Sequence, residues 1–304
     1  MNQTVLITGG TGVIGQHLTR FLIQNGYQVS CLSRSKKAVP GVRMYLWDVE
    51  KGQIDPEAIQ SADHIIHLAG AGIADERWTD KRKREILESR TKSTQLIAQT
   101  LERSAHHVKT FVSASAIGYY GGDTGDELMN ENSPAGTDFL AQVVKAWEAS
   151  VEAVSSLGIR TVMLRTGIVL TKEGGALPKL VQPVRLGAGA PLGTGRQYMS
   201  WIHIDDLCGL YMQAIQKGTF AGKFNVVAPQ PVTNSEFVRL IAKRLNRPLL
   251  LPNVPSFAIR LLFGEMAIVV LGSSRVDNQR IREEGEYNYR YASLDSALGQ
   301  LLEA

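Results

Sequence analysis

A glycine-rich stretch near the N-terminus has the spacing of a phosphate-binding turn. Residues 8–15 (TGGTGVIG) follow a short β-branched run and open a helical pattern. Gly9 permits a tight turn, Gly12 lets backbone N–H groups approach a pyrophosphate, and Gly15 allows close packing of helix and strand. The predicted phosphate site comprises Gly9, Gly10, Thr11, Gly12, Val13, Ile14 and Gly15. Because a helix N-terminus attracts anions, this stretch predicts dinucleotide binding, and a purely structural turn is the alternative.

The end of the second predicted strand indicates which dinucleotide is bound. NAD-selective sites usually place Asp or Glu there, roughly 20 residues on, to accept hydrogen bonds from the ribose hydroxyls. This chain has Ser33, Arg34, Ser35, Lys36 and Lys37 instead, with no carboxylate. The Arg34 guanidinium suits a 2′-phosphate, helped by the Ser33 hydroxyl and by Lys37. We therefore predict NADP(H) as the cofactor, and a solvated loop charge is the alternative role for Arg34.

Alternating short and long patterns predict the elements that hold these residues. Short β-branched runs at 4–8, 29–33, 44–47, 64–68, 110–113 and 161–164 predict buried parallel strands. Amphipathic patterns at 14–24, 81–101 and 139–156 predict crossover helices. Gly26 follows the first of these, where a left-handed C-terminal cap favours glycine. The predicted fold class is therefore α/β, a Rossmann-type doubly wound parallel sheet.

After Arg165 the periodic pattern is lost in a passage rich in Gly and Pro, from 174 to 195. We predict that residues 1–165 form an NADP-binding Rossmann domain. Residues 166–304 are expected to form mainly a smaller C-terminal substrate lobe, interleaved with the end of the sheet. The apolar stretch 257–271 is interrupted by Arg260, Gly264 and Glu265 and is shorter than the ~20 residues that span a bilayer, so it predicts a core or interface helix.

The smaller lobe contains polar residues that could recognise an acidic substrate. A Gly-rich loop is expected to be surrounded by Arg185, Arg196, Gln197, Trp201 and His203. Solvent-facing arginines are the alternative. Asp205 and Asp206 are expected to cap the next helix.

Composition excludes several classes of function. The 304 residues carry a net charge of +4, with 44% hydrophobic and 20% charged residues, which is ordinary for a globular protein. The basic run 81–84 predicts a solvated helix face rather than a nucleic-acid site. Cys31 and Cys208 show no metal-ligand spacing, so no metal is expected. With no export signal, we expect a cytoplasmic protein with a small-molecule substrate, no nucleic-acid or membrane partner, and homo-oligomerisation left open.

Several motifs together resemble the extended short-chain dehydrogenase/reductase superfamily. They are residues 8–15 (TGGTGVIG), 67–70 (HLAG), 113–115 (SAS) and 201–206 (WIHIDD). Residues 118–121 (GYYG), 147–148 (WE), 164–167 (LRTG) and 193–198 (GTGRQY) resemble, more narrowly, the atypical YfcH-like branch of the NAD-dependent epimerase/dehydratase family. The resemblance spans nearly the whole chain.

This resemblance implies further cofactor contacts. Asp48 would approach the adenine, and residues 68–70 would line the adenosine and pyrophosphate. Arg90, at the family's Asn position, would contact the cofactor phosphates or ribose. Solvated positions are the alternatives for Asp48 and Arg90, and His67 is expected to be a core histidine. The cofactor residues that the resemblance adds are Asp48, Leu68, Ala69, Gly70, Arg90, Gly167 and Ile168, with Glu85 as a weaker candidate. Gly167 and Ile168, together with Thr166, would lie near the nicotinamide.

The proton-transfer residues are where this sequence departs from the family. Its ordinary members use a Ser and a Tyr-x-x-x-Lys pair, in which the Lys and the cofactor lower the pKa of the Tyr. When Glu148 is aligned with the family's glutamate, Leu140 and Val144 occupy the places of Tyr and Lys, and Lys145 lies one place away. The usual path for the proton is therefore missing.

Other residues could replace that path. Ser113 or Ser115 can take the role of the family's Ser, with Ser115 preferred, although either could cap the strand-end turn. Tyr119 and Tyr120 follow directly and are candidate proton donors, with packing as the alternative role. We predict Ser115 and Tyr119 as the catalytic residues.

Two functions from different classes fit these observations. The first is an NADP(H)-dependent oxidoreductase or epimerase-like enzyme acting on a small carbonyl or hydroxyl compound. The second is a cofactor-binding sensor or regulatory protein that has lost turnover, which the missing Tyr-x-x-x-Lys pair favours.

Overall fold

The computed structural model describes residues 3–35 and 39–303. The strands are β1 (Thr4–Thr8), β2 (Gln28–Ser33), β3 (Val42–Asp48), β4 (Gln53–Ile54), β5 (His64–His67), β6 (Thr110–Ala116), β7 (Leu128–Met129), β8 (Arg160–Thr166), β9 (Ile168–Leu170), β10 (Tyr198–Met199), β11 (Trp201–His203), β12 (Gly222–Val226), β13 (Val232–Thr233) and β14 (Arg275–Val276). The helices are α1 (Val13–Gln24), α2 (Pro56–Gln60), α3 (Asp80–Arg103), α4 (Phe139–Ser155), α5 (Ala176–Arg185), α6 (Ile204–Gln216), α7 (Asn234–Arg244), α8 (Ser256–Phe263), α9 (Ile268–Leu271), α10 (Gln279–Glu283) and α11 (Leu294–Leu302). Two 3-10 turns lie at Ile117–Tyr120 and Gly264–Ala267.

One eight-stranded sheet organises the chain, in the order β12-β8-β6-β5-β1-β2-β3-β4. Neighbouring strands are parallel except β3 and β4. The chain builds outward from β1 through β2 to β3, then returns to the other side of β1 for β5. The predicted doubly wound α/β fold is thereby confirmed. In such sheets ligands bind beyond the carboxyl ends of the strands at the point of reversal, here between β1 and β5.

Helices cover both faces of the sheet because both faces are apolar. On one face, α1 and α6 bury Leu18, Leu22 and Leu207 against β1 and β8. On the other face, α2, α3 and α4 bury residues such as Ile97 and Val151 against β5 and β6. The three predicted helices form at nearly their predicted bounds, and Gly26 adopts the left-handed conformation, with a φ of 85°.

The C-terminal part of the chain contributes to two cores. Strand β12 pairs with β8 at the edge of the main sheet, and α6 packs on that sheet. A separate cluster joins α5, α7 and α11 around Phe237 and Leu298. The segment after Arg165 is therefore interleaved with the sheet, while the domain boundary at 165 stays a prediction.

The stretch 257–271, predicted to form a core or interface helix, is divided into several short elements. It forms α8, a 3-10 turn and α9, with a break at Gly264, whose φ is 61°. Phe257 and Leu261 are exposed, and Ile259 is the buried residue of α8. In the described ranges, no helix has the length and apolar character needed to cross a membrane.

The basic run 81–84 is not wholly a solvated face. Arg82 is buried on α3, where its guanidinium donates to the Gly72 carbonyl at 2.7 Å and to Glu85 at 2.8 Å. The expectation failed because the loop after β5 folds over the first turn of α3 and needs a donor for its carbonyl groups.

Asp206 does not cap α6 as predicted. The Nδ1 atom of His203 accepts the Asp205 N–H at that helix end. Asp206 is buried and accepts hydrogen bonds from the Tyr287 hydroxyl and from the backbone N–H groups of Arg290 and Tyr291. It therefore ties the segment before α11 to α6.

We predict that Asp206→Ala lowers the free energy of unfolding by about 3 kcal/mol. The Tyr287 hydroxyl and the backbone N–H groups of Arg290 and Tyr291 would lose their acceptor. Urea unfolding measures this change. Asp205→Ala is the matched control: its carboxylate is partly exposed and should contribute at most about 1 kcal/mol. Equal effects of the two substitutions would contradict the role assigned to Asp206.

Candidate functional site

The glycine-rich turn is packed against β5 on its inner side. Gly9 has a φ of 71°, and a Cβ at Gly9 would lie 2.9 Å from the Leu68 carbonyl carbon. A Cβ at Gly15 would lie 2.3 Å from the Gly9 carbonyl oxygen. The turn is closed by a hydrogen bond from the Gly12 N–H to the Gly9 oxygen at 3.0 Å. Any side chain at Gly9 or Gly15 would therefore displace backbone.

The turn is open on the side where α1 begins. A Cβ at Gly12 would meet only the Gly9 oxygen, at 3.3 Å. Gly12 is the N-cap of α1, and among the described residues no side chain caps this helix and no acid lies in its first turn. Unpaired N–H groups beside a glycine cradle are chemically matched to a pyrophosphate. The residues present therefore fit the phosphates of a dinucleotide.

Buried hydrogen bonds join the carboxyl ends of β1 and β5. The Thr8 hydroxyl accepts the N–H groups of Leu68 and Ala69, both at 3.2 Å, and lies 2.7 Å from His67 Nδ1. His67 Nε2 lies 3.2 Å from the Ser93 hydroxyl. Burial, with a smaller effect of Arg90, lowers the pKa of His67 to about 3, so the ring is neutral. The prediction of a core histidine is confirmed.

The ends of β2 and β3 carry the residues predicted to face the adenosine. Arg34 is exposed just after β2, next to the half-buried Ser33, and Lys36 and Lys37 lie outside the described residues. Asp48 accepts the Lys51 N–H at 3.1 Å and pairs with its ammonium at 3.2 Å. These contacts with Lys51 lower the pKa of the Asp48 carboxyl. Asp48 thus stabilises the turn after β3, and its contact with the adenine stays a prediction.

Arg90 is a buried cation next to the loop after β5. A Cβ at Gly70 would lie 3.1 Å from its guanidinium carbon, which stacks 5.0 Å from the centre of the Trp147 ring. Its Nη1 donates to the Ile86 carbonyl, while Nε has no partner among the described residues. Burial, with a smaller effect of Arg82, lowers the pKa of Arg90 to about 10. The solvated alternative for Arg90 is therefore wrong.

A surface cleft of about 300 Å³ lies between the turn after β3 and the start of α3. It is lined by Glu50, Lys81, Arg84, Glu85, Glu88 and Ser89. Glu85 also pairs with Arg82 at 2.8 Å. A larger cleft of about 570 Å³, between α1, α6 and Tyr287, includes none of the predicted site residues.

The connection from β8 to β9 is held by backbone contacts. A Cβ at Gly167 would lie 2.5 Å from the Ser200 carbonyl oxygen, and the Gly167 N–H donates to the Val226 oxygen. The Ile168 N–H donates to the Ser200 oxygen at 2.8 Å. Thr166 donates to the Leu164 carbonyl. Packing against the backbone of Ser200 therefore requires glycine at position 167, with or without a bound cofactor.

A buried ion pair joins Glu148 of α4 to Arg165 of β8, next to Ser115. Ser115, Arg165 and Asn225 stand side by side on β6, β8 and β12. Glu148 of α4 binds Arg165 through both carboxylate oxygens, each at 2.8 Å, and accepts the Ser115 hydroxyl at 2.7 Å. Burial lowers the pKa of Arg165, but the hydrogen bonds and charge of Glu148 outweigh it and raise the pKa.

The two neighbouring tyrosines differ in their surroundings. The buried Tyr120 hydroxyl accepts from Arg165 Nη1 at 3.0 Å and donates to Asn225 Oδ1 at 2.7 Å. Burial raises the pKa of Tyr120 to about 12, so its proton is held. The half-buried Tyr119 ring lies 3.5 Å from the Arg165 guanidinium carbon, and its hydroxyl hydrogen-bonds to none of the described residues. Of the two phenols, only that of Tyr119 remains available to a ligand.

The positions aligned with the family's Tyr and Lys carry apolar side chains that are packed in the interior. Leu140 and Val144 are buried against Gly118, with Leu140 Cβ 3.5 Å from where a Gly118 Cβ would lie. Lys145 is exposed on the outer face of α4. Ser113 is buried and donates to the Ala114 carbonyl.

The residues predicted to surround a substrate loop do not converge. Trp201 and His203 are buried, with Trp201 donating to the Gln230 carbonyl and His203 hydrogen-bonded to Gln300. Gln197 is also buried and donates to the Leu192 carbonyl. Arg185 and Arg196 are exposed. The two arginines therefore take the alternative, solvent-facing role, and Gln197, Trp201 and His203 are buried because β11 and the loop before it are interior elements of the lobe.

Two groups of residues at the site were missed by sequence reasoning. Asn225 is a polar residue between the buried apolar residues Phe224 and Val226 of β12, and this pattern could have indicated a buried partner. The contact between His17 and Glu173 joins α1 to the segment after β9, at 3.0 Å, and no local pattern predicts it. Among the described residues, no group of three or more His, Cys, Asp or Glu side chains is arranged to hold a metal ion.

The doubly wound sheet, with a glycine-rich turn at its point of reversal, defines a Rossmann-type dinucleotide-binding protein of the extended short-chain dehydrogenase/reductase type. Residues 5–227 match the model of the NAD dependent epimerase/dehydratase family, and the chain belongs to that family. Residues 254–301 match a domain of unknown function, DUF1731.

Relatives of known sequence or structure agree with this assignment. The epimerase family protein YfhF of Bacillus subtilis is 34% identical over 301 residues, which are 99% of this chain and 98% of YfhF. The crystal structure of human epimerase family protein SDR39U1 (isoform 2) with NADPH has a TM-score of 0.87 at 32% identity, covering 99% of both chains. A nucleoside-diphosphate sugar epimerase from Corynebacterium glutamicum has a TM-score of 0.80 at 34% identity, covering 99% of this chain and 58% of that one.

We predict that Glu148→Ala lowers the free energy of unfolding by about 3 to 5 kcal/mol, because it leaves the Arg165 charge buried without its partner. Glu152→Ala, an exposed position on the same helix, should change it by no more than about 0.5 kcal/mol. Chemical denaturation of both variants is the measurement. A loss below about 1 kcal/mol in Glu148→Ala, the range of a surface ion pair, would contradict the buried-pair assignment.

Proposed function

We propose that this protein binds NADP(H) and acts as an oxidoreductase or epimerase-type enzyme on a small carbonyl or hydroxyl compound. The observation that carries the proposal is the glycine-rich turn, which is packed against β5 at Gly9 and open at Gly12 toward the uncapped start of α1. The human relative crystallised with NADPH supports the choice of cofactor, because it aligns over 99% of both chains.

Three parts of the chain would hold the dinucleotide. The first-turn N–H groups of α1 would donate to the pyrophosphate. The exposed Arg34 would pair with the 2′-phosphate, since its guanidinium can donate two parallel hydrogen bonds. Arg90 would contribute positive charge beside Gly70, because a buried cation without a carboxylate partner is stabilised by an anion nearby.

Bound NADP(H) supplies hydride exchange with a substrate carbon, and the protein must move the accompanying proton. Tyr119 is the phenol suited to this task, because the Tyr120 hydroxyl is already engaged by Arg165 and Asn225. The Ser115 hydroxyl donates to Glu148, so its oxygen is available to accept a hydrogen bond from a substrate hydroxyl.

A second candidate function is a cofactor-binding sensor without turnover. The specific observation in its favour is the apolar contact of Leu140 and Val144 with Gly118, which fills the place of the family's Tyr and Lys. A protein of this kind would bind NADP(H) with the same turn and would transmit the bound state instead of reacting.

The cofactor preference is the first test of the proposed function. NADPH is expected to bind about ten- to a hundredfold more tightly than NADH, because a charge-assisted pair with Arg34 contributes on the order of 1.5 to 3 kcal/mol. In Arg34→Ala the NADPH affinity should fall to that of NADH, with NADH little changed. Titration calorimetry measures both. Gly12→Val, whose side chain would occupy the phosphate site, should abolish binding of either cofactor, and equal native affinities would contradict the assigned preference.

The proton donor is tested by a pair of matched variants. A screen of carbonyl and hydroxyl compounds, followed by NADPH absorbance, identifies a substrate. Tyr119→Phe is then expected to lower turnover by ~10²- to 10⁴-fold with nearly unchanged NADPH affinity, as for the loss of a general acid. Tyr120→Phe is the control for the ring environment.

The same screen separates the two candidate functions. Full turnover in Tyr119→Phe and in Ser115→Ala would overturn the assigned proton path. Tight NADPH binding with no turnover of any compound would favour the sensor over the enzyme.

A further inference from the structure

The segment 171–175, which we name the clamp segment, lies against the first residue of α1. A Cβ at Gly174 would be 2.9 Å from Val13 Cγ2 and 3.9 Å from Val13 Cβ. Val13 is the N1 residue of α1, so its backbone belongs to the open side of the glycine-rich turn. The clamp segment therefore lies directly beside the predicted phosphate site.

A polar contact one helical turn further along α1 holds the clamp segment in place. His17 Nε2 lies 3.0 Å from the Glu173 carboxylate, which also accepts a hydrogen bond from the buried Thr171 hydroxyl. Hydrogen bonds from Thr171 and then His17 lower the pKa of Glu173 to about 2, so this carboxylate is ionised at neutral pH. His17 and Val13 lie on one face of α1, and the segment crosses that face.

Both ends of the clamp segment are anchored in the fold. Thr171 directly follows β9, which pairs with β11, and Gly175 is the N-cap of α5, with a φ of 72°. The segment contacts α1 through Gly174 and Glu173, and the Thr171 hydroxyl lies 3.5 Å from His17 Nε2. The Glu173 side chain is 45% exposed, so this contact contributes little to the stability of the whole protein.

We infer that His17 and Glu173 are positioning residues that hold the clamp segment over bound dinucleotide and so limit its rate of dissociation. The inference rests on the proposed binding of NADP(H) and adds two residues that touch neither the phosphate site nor the proton path. Any dinucleotide leaving the turn on the Val13 side must displace this segment, and the contact with α1 resists that displacement.

Dissociation of NADPH, measured by stopped-flow fluorescence during displacement with excess NADP⁺, tests the role of the contact. His17→Ala and Glu173→Gln are each expected to raise the dissociation rate about two- to fivefold, the effect of a partly exposed pair. The exchanged pair His17→Glu/Glu173→His should restore the native rate. Glu57→Gln, which breaks the exposed pair between Arg43 and Glu57, is the control and should leave the rate unchanged.

A reversible cross-link tests whether the clamp segment lies on the exit path. The 3.9 Å separation of the two Cβ positions suits a disulfide in Val13→Cys/Gly174→Cys. The native Cys31 and Cys208 are buried, and burial raises the pKa of both thiols, to about 11 for Cys31, so they do not interfere. Each single cysteine variant is a control for oxidation.

After the protein is loaded with NADPH and oxidised, we expect it to retain the cofactor. Over the same time, the dithiothreitol-reduced form should release its NADPH. Equal release rates in the two redox states, with the disulfide verified by mass, would overturn the clamp and leave NADPH binding intact. Absence of NADPH binding by the native chain would overturn the proposed function and the clamp together.

Discussion

The ion pair between Glu148 and Arg165 is the interaction on which the architecture of the candidate site depends. It joins α4 to β8, and its hydrogen bonds extend to Ser115 on β6 and Tyr120 on the 3-10 turn. Both charges are buried, and their mutual attraction offsets the cost of removing them from water. The pair also determines which phenol is engaged, because Arg165 uses one donor for the Tyr120 hydroxyl and stacks its face on Tyr119.

The part of the site predicted to bind the cofactor depends on backbone packing and not on an ion pair. Its glycines remove side chains where backbone must approach backbone, and the start of α1 has no side-chain cap and no acid in its first turn, which suits an anion. The cofactor side is built on β1 and α1 and the proton side on β6, β8 and α4, and Arg90 of α3 contacts the second group where it stacks on Trp147. The segment after β9 reaches from the strand-end region to α1, through Gly174 and Glu173.

Much of the fold could be predicted from local sequence. Gly9 and Gly26 adopt the left-handed conformations that their positions demanded, and the three long amphipathic patterns became α1, α3 and α4. The period of apolar residues and the spacing of glycines reflect interactions between residues that are close in sequence. Both can therefore be recognised from the sequence alone. His67 was also read correctly, because a histidine inside an apolar strand must satisfy both ring nitrogens in the core.

By itself the sequence determined the class of fold, the phosphate turn, the lack of an acid after β2 and the absence of the Tyr-x-x-x-Lys pair. Only the tertiary structure decided that Arg82 is buried and that Asp206 binds residues near position 290 instead of capping α6. It also decided that the Tyr120 hydroxyl, rather than that of Tyr119, is hydrogen-bonded to Arg165 and Asn225. The physical reason is that a charged or hydroxyl side chain takes its role from its partner, and these partners lie far away in sequence, where no local period reports them.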